Sequence, residues 1–148
     1  MRIADVLATK PKGVVTLWTN HTLAEALRLM DERSVSSVVI VDPERRPLGL
    51  LTDRDAVHAL AAHGPTALEM GVTHLMSAPP PYCTPDTTVS QALARMTADR
   101  VRHLVVVGEE IMLGVVSIGD LVKVRLDDAA IEGNVLRDIA LGRIAATG

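Results

Sequence analysis

Aromatic side chains are nearly missing from this chain. Trp18 and Tyr82 make up the whole 1% in 148 residues, and there is no phenylalanine. That argues against the ring platforms on which single-stranded nucleic acids stack, and against an aromatic-lined sugar site. Cysteine is scarce too: Cys83 stands alone, which excludes an intrachain disulfide and a multi-cysteine metal site and fits a reducing compartment. No apolar run reaches the roughly 18 residues of a membrane span. The opening Met1-Arg2-Ile3-Ala4-Asp5 carries an early acid and no apolar core, so a secretory signal is not expected. Fifteen Lys and Arg against eighteen Asp and Glu leave a net charge of −3 without a basic stripe, which does not favour nucleic acid. His58, His63 and His74 are spaced wrongly for one helical face, and no acids converge on them, so no metal is expected. The P-loop pattern is also absent. The expectation is a soluble cytoplasmic protein with no nucleic-acid or membrane partner.

Aliphatic residues are plentiful. Hydrophobic residues make up 48% of the chain, enough for a core of Val, Leu, Ile, Ala and Met. One stretch stands out: Gly49-Leu50-Leu51-Thr52-Asp53-Arg54-Asp55. It reads as a buried strand turning directly into a helix, with Thr52 as N-cap. Its twin, Gly114-Val115-Val116-Ser117-Ile118-Gly119-Asp120, follows 65 positions later. Each copy is a glycine, two aliphatics, a hydroxyl residue, two variable positions and an aspartate.

The surrounding pattern is duplicated as well. Thr22 with Glu25, and Thr88 with Gln91, are capping boxes at an offset of 66 (22 to 88). Each opens a helix with an apolar stripe, Leu23, Ala26, Leu27 and Met30 in one and Val89, Ala92, Leu93 and Met96 in the other. The continuous apolar runs Val38–Val41 and Leu104–Val107 read as strands buried on both faces. The offset drops to 65 across the following turn, where a structural repeat tolerates a length change. Each repeat is thus strand-helix-strand-strand-helix, with a short helix near residues 3–7 in front. The first repeat is expected over 1–66 and the second over 67–127. An extended C-terminal helix is expected over 120–147, with a kink allowed at Gly133-Asn134. Neither half alone could bury much core, so the two sheets should pack together in one α+β module of pseudo-two-fold symmetry, with two equivalent clefts between the halves.

Read singly, a hydroxyl residue followed three positions later by aspartate is a cap: the hydroxyl accepts a backbone N–H and the acid suits the positive helix end. Read as a pair at the ends of buried strands, the two turns are placed where ligands gather in strand-to-helix connections. First-turn N–H groups and a hydroxyl suit phosphate, and a carboxylate one turn in accepts two vicinal hydroxyls. Together these describe a ribose phosphate.

The duplicated turn, each copy behind a Thr-capped helix and a Val-rich strand, resembles a tandem cystathionine-β-synthase (CBS) domain pair, or Bateman module. Arg102-His103-Leu104-Val105-Val106-Val107 is similar to that family's Arg-His-Leu-Pro-Val-Val, with Val105 in place of proline. The resemblance implies two βαββα repeats packed sheet to sheet, and adenine-nucleotide binding in the clefts. By motif, Thr52 and Asp55 would hold phosphate and ribose in one cleft. Arg54, Arg102 and His103 would be near the phosphate and Thr84 near the base. Ser117 and Asp120 would serve the mirror cleft, lined by Val14, Thr16, Ser36 and Ser37, and Lys12 is a further candidate. A ligand with several phosphates is expected at the Thr52 turn, where the basic residues are. By the same resemblance the ligand would be AMP, ADP, ATP or a related adenosyl compound, ahead of NAD or S-adenosylmethionine, with no catalytic cofactor and no catalytic residues expected. Homodimers are implied as well, for which the long final helix and the Leu23 and Leu93 stripes are suited, together with an unidentified regulated protein. The competing expectation is a ligand-free CBS scaffold acting only through protein contacts.

Overall fold

In the computed structural model residues 1–11 and 13–142 are described, the side chains of residues 131 and 135 excepted. In chain order the elements are α1 (Ile3–Ala8), β1 (Thr16–Trp18), α2 (Leu23–Arg33), β2 (Ser37–Val41), β3 (Pro47–Thr52) and α3 (Asp53–His63). Two 3₁₀ turns (Gly64–Glu69 and Val72–His74) follow. Then come β4 (Tyr82–Cys83), α4 (Val89–Asp99), β5 (His103–Gly108), β6 (Ile111–Ser117) and α5 (Ile118–Ala140). All four hydroxyl-started helices close their reciprocal caps: Thr22 with Glu25, Thr52 with Asp55, Thr88 with Gln91 and Ser117 with Asp120.

The strands form two sheets, β1-β2-β3 and β4-β5-β6. In each, the first pair is parallel and the second antiparallel. The duplication holds down to irregularities. The register shifts between Ile40 and Val41 and again between Val106 and Val107. Left-handed residues end α2 at Ser34 and α4 at Arg100, with φ of 53° and 54°. Arg45 and Glu110 take the same conformation in the two β-turns.

Among the described residues three apolar clusters hold the molecule. One belongs to each repeat, and a third, of Val39, Val41, Leu50 and Val105, lies between the two sheets. The repeats also exchange their leading segments. Ile3 and Val6 of α1 are buried among Cys83, Val89, Leu104 and Leu121 of the second repeat. Val72, just after α3, is buried among Leu23, Met30 and Leu51 of the first. Backbone bonds secure both straps: Ile3 N–H to the Thr87 carbonyl at 2.8 Å, and Val72 N–H to the His21 carbonyl at 2.9 Å. Order along the chain and packing therefore divide the molecule differently.

Three expectations change. The final helix begins at Ile118, because Ser117 caps it, and runs unbroken through Gly133-Asn134 to Ala140. One interior glycine costs only about 1 kcal/mol relative to alanine, too little to break a long helix. Residues 143–147 of the expected helix lie outside the described residues. The α2 and α4 stripes are not free for a second subunit, since Leu23, Ala26 and Ala92 are 0% exposed within this chain's own cores. Among the helices, exposed large apolar residues lie instead on α3 (Val57, Leu60) and α5 (Val122, Leu126, Leu136), and others are scattered on strands, such as Trp18 and Ile111.

Candidate functional site

The two strand-to-helix turns are held by equivalent bonds. The Ser36 carbonyl accepts from Asp53 N–H at 3.0 Å, and the Arg102 carbonyl from Ile118 N–H at 2.8 Å. Thr52 N–H donates to Asp55 Oδ2 at 2.8 Å, and Ser117 N–H to Asp120 Oδ2 at 2.8 Å. The return bonds, Asp55 N–H to Thr52 Oγ1 and Asp120 N–H to Ser117 Oγ, are 3.3 and 3.1 Å. Each carboxylate is thereby fixed through Oδ2. Among the described residues no donor meets Oδ1 of either, which leaves one oxygen for a ligand hydroxyl.

The motif glycines serve the straps. A Cβ at Gly49 would overlap the Met76 side chain, and one at Gly114 would lie 2.8 Å from Leu7 Cδ2. Close approach of an opposing side chain explains both glycines without invoking a ligand.

Beyond the caps the two clefts diverge. At the second turn a cavity of about 770 Å³ opens between the repeats, walled by Val14, Val15, Ser36, Ser37, Ser117, Asp120, Lys10 and Arg33. At the first, a cavity of about 200 Å³ is bordered by Thr52, Arg54, Asp55, Arg102, His58 and Arg100. The basic residues gather at the first turn as expected, but the volume is at the second. Ligand sites usually enclose about 300–1,000 Å³, a range only the larger cleft reaches.

First-turn donors differ as well. At α3 the N–H groups of Asp53, Arg54 and Asp55 are all engaged, by the Ser36 carbonyl, Asp53 Oδ1 and Thr52 Oγ1. Arg102 is paired there with Asp53 at 3.0 Å, both half-exposed, a contact worth no more than about 1 kcal/mol. At α5, Ile118 and Gly119 replace Asp53 and Arg54, and among the described residues the Gly119 N–H has no acceptor.

His103 is the one buried polar side chain among the described residues, 6% exposed. It borders both cavities. Its Nε2 is 2.9 Å from Ser36 Oγ, a bond between the repeats. Burial, and then the Arg102 cation, hold its pKa below the ordinary imidazole value. Asp120 is held below the usual carboxylate range. Burial opposes this, but bonds from Lys10 and the Ser117 N–H outweigh it. Burial also pushes the Cys83 thiol up to about 11, which makes it a packing residue rather than a nucleophile.

The other expected residues divide. Val14, Ser36 and Ser37 line the larger cleft, whereas Thr16 lines neither cavity. Thr84 also lies outside both and bonds to Thr87 through its N–H. Lys12 falls outside the described residues. Val105, where the family pattern has proline, donates its N–H to the Pro81 carbonyl at 2.8 Å, as Val39 does to Val15 at 3.0 Å. A proline could not make that bond. Lys10 and Arg33 were missed. Nothing near either in sequence marks it, and the Lys10–Asp120 contact spans 110 positions.

Duplicated sheets, exchanged straps and a cleft at each inter-repeat turn define a tandem-repeat module. The family model described as "CBS domain" matches residues 3–62 and 72–127, and the chain belongs to the CBS-domain family. A curated relative, CBS domain-containing protein CBSX3, mitochondrial, of Arabidopsis thaliana, is 33% identical over 82% of this chain, a match spanning 63% of that protein. The crystal structure of a CBS-domain-containing protein of Agrobacterium tumefaciens matches with a TM-score of 0.79 and 33% identity, covering 84% of this chain and 98% of that one. Two further structures share the fold at lower identity. A CBS domain protein of Pyrobaculum aerophilum complexed with AMP is 24% identical with a TM-score of 0.71, covering 81% of this chain and 89% of that one. The CBS domain pair of protein MJ0100, in complex with 5′-methylthioadenosine and S-adenosyl-L-methionine, is 20% identical with a TM-score of 0.76, covering 86% and 98%.

Proposed function

We propose that this chain is a regulatory, non-catalytic module that binds an adenine nucleotide (AMP, ADP or ATP) in the larger inter-repeat cleft and passes the change of state to a partner protein. The observation that carries this is the cleft of about 770 Å³ with a capped serine and an aspartate oxygen at its wall. Ser117 Oγ and the Gly119 N–H suit phosphate, Asp120 Oδ1 suits a ribose diol, and Val14 and Val15 offer an apolar face for the base. The adenosyl ligands held by the Pyrobaculum protein and by MJ0100 support the same class. Thr52, Arg54, Asp55, Arg102 and His103 form a second, smaller site in this reading. In this reading Asp120 binds rather than reacts: it is engaged by a cation and a cap and held below its usual pKa, the wrong direction for a general base near neutral pH. A cytoplasmic setting belongs to the same proposal, and no described helix is long and apolar enough to cross a membrane.

Calorimetry with AMP, ADP, ATP, NAD and S-adenosylmethionine tests it. At least one adenine nucleotide should bind, and Asp120→Ala should weaken it at least tenfold. Silence from all five at millimolar concentration would overturn the reading. A scaffold role is favoured by one observation, the exposed apolar residues Val57, Leu126 and Leu136, 64–67% accessible. We propose that these faces of α3 and α5 meet a second copy of the chain, an arrangement compatible with either role.

A further inference from the structure

Lys10 follows α1 on the strap that crosses to the second repeat, and its ammonium reaches the wall of the larger cleft. Nζ donates to Asp120 Oδ2 and to the Val115 carbonyl, both at 2.7 Å. An ammonium has three donors, so one is left over. The side chain is only 33% exposed. Ordering a lysine this way loses up to about 2 kcal/mol of rotamer freedom, more than a partly exposed ion pair usually returns. Stability is therefore a weak reason for its position. Together with Arg33, two cations face one carboxylate among the described residues of this cleft. The straps correspond at an offset of 69, Ile3 to Val72 and Leu7 to Met76, which puts Pro79 where Lys10 stands, and no ion pair reaches Asp55 among the described residues. A cation paired with the motif aspartate itself thus belongs to the larger cleft, whereas Arg102 at the smaller one pairs with Asp53.

Resting on the adenosyl reading above, we propose that Lys10 is a ligand-binding residue of the larger cleft, whose third donor meets the ligand's phosphate and so selects phosphorylated adenosyl ligands over those without phosphate. The ribose diol donates to Asp120 Oδ1, so the Lys10–Asp120 pair persists and holds the ammonium beside the incoming anion. A charge-assisted bond from a pre-positioned donor is among the stronger hydrogen bonds a protein makes. A neutral thioether or a sulfonium at the same carbon gains nothing from it, and the sulfonium is repelled.

The test is titration of the full chain, wild type, Lys10→Met and Lys10→Arg, with AMP and with 5′-methylthioadenosine, which differ in the group at that carbon. The wild type should bind AMP at least tenfold more tightly. K10M should lose on the order of tenfold in AMP affinity, the usual weight of one charged hydrogen bond, and bind methylthioadenosine within a factor of three of wild type. K10R should keep most of the AMP preference. Thermal melts without ligand establish that each variant folds. Equal binding of the two ligands by wild type, or equal weakening of both by K10M, would overturn the Lys10 assignment while leaving the adenosyl reading intact. Binding of neither ligand would remove both.

Discussion

A methyl group placed on Gly114 would press on Leu7 Cδ2 at 2.8 Å, and the isopropyl group of valine would press harder. Gly114→Val should therefore lose about 1–3 kcal/mol of stability by overpacking. In urea denaturation, Leu7→Ala should relieve part of that loss, so the double variant falls short of the sum of the singles. His103 gives a pH signature. Its folded pKa lies below 6.5, so the unfolded chain takes up the proton first. The stability tied to neutral His103 is complete above pH 6.5 and is lost as pH falls through the folded value. Melting temperature should drop as pH falls below 6.5 in wild type, and the slope should flatten in His103→Gln. Asp120 acts with the same sign at lower pH, its contribution being present above 3.8 and lost as pH falls through its depressed value. These residues were unequally legible. Thr52 with Asp55, and Ser117 with Asp120, are neighbours within one helical turn, so sequence spacing reveals them. The Ser36–His103 bond spans 67 positions and the Lys10–Asp120 bond 110. Only the folded chain brings these together.

The elements themselves were largely readable, because capping and periodicity act locally. The stripes of α2 and α4, the buried β2 and β5 and the shortened second β-turn follow from residues within a dozen positions of one another. What stayed hidden was the destination of α1. A short amphipathic segment announces that it will be buried without saying against which repeat. Its packing yields a sharp expectation. Ile3 is 0% exposed within the second repeat's core, so Ile3→Ala should cost about 2–5 kcal/mol. Hydrogen exchange should show protection falling first in α4 and β5, although the substitution lies at the other end of the chain. Loss confined to α2 and β2 would contradict this packing.

The whole molecule has two repeats joined by a sheet-to-sheet core that neither owns. Val39, Val41, Leu50 and Val105 are each at most 2% exposed there, so urea unfolding should be one transition. Association has its own test. Val57 and Val122 occupy corresponding places on α3 and α5, 65 and 44% exposed. Replacing both with lysine should convert wild-type dimers to monomers in sedimentation, with the melting temperature of the monomer fold little changed. Wild type sedimenting as a monomer would refute the proposed face. Of the faces expected to suit a dimer, the final helix keeps exposed apolar residues while the α2 and α4 stripes are buried in this chain's own cores, because periodicity marks an apolar face without distinguishing a core inside the chain from a surface between chains.

The exchanged straps bear on synthesis. Chains leave the ribosome from the N-terminus, and domains usually fold in that order. Here the first repeat is finished only when Val72, in the second 3₁₀ turn after α3, has emerged to cover Leu23 and Met30. Ile3 and Val6, made ahead of both repeats' strands, wait for Val89 and Leu104. Two sets of apolar side chains therefore stay uncovered until the second repeat emerges, and the nascent chain is a client for whatever shields such surfaces until both halves are out.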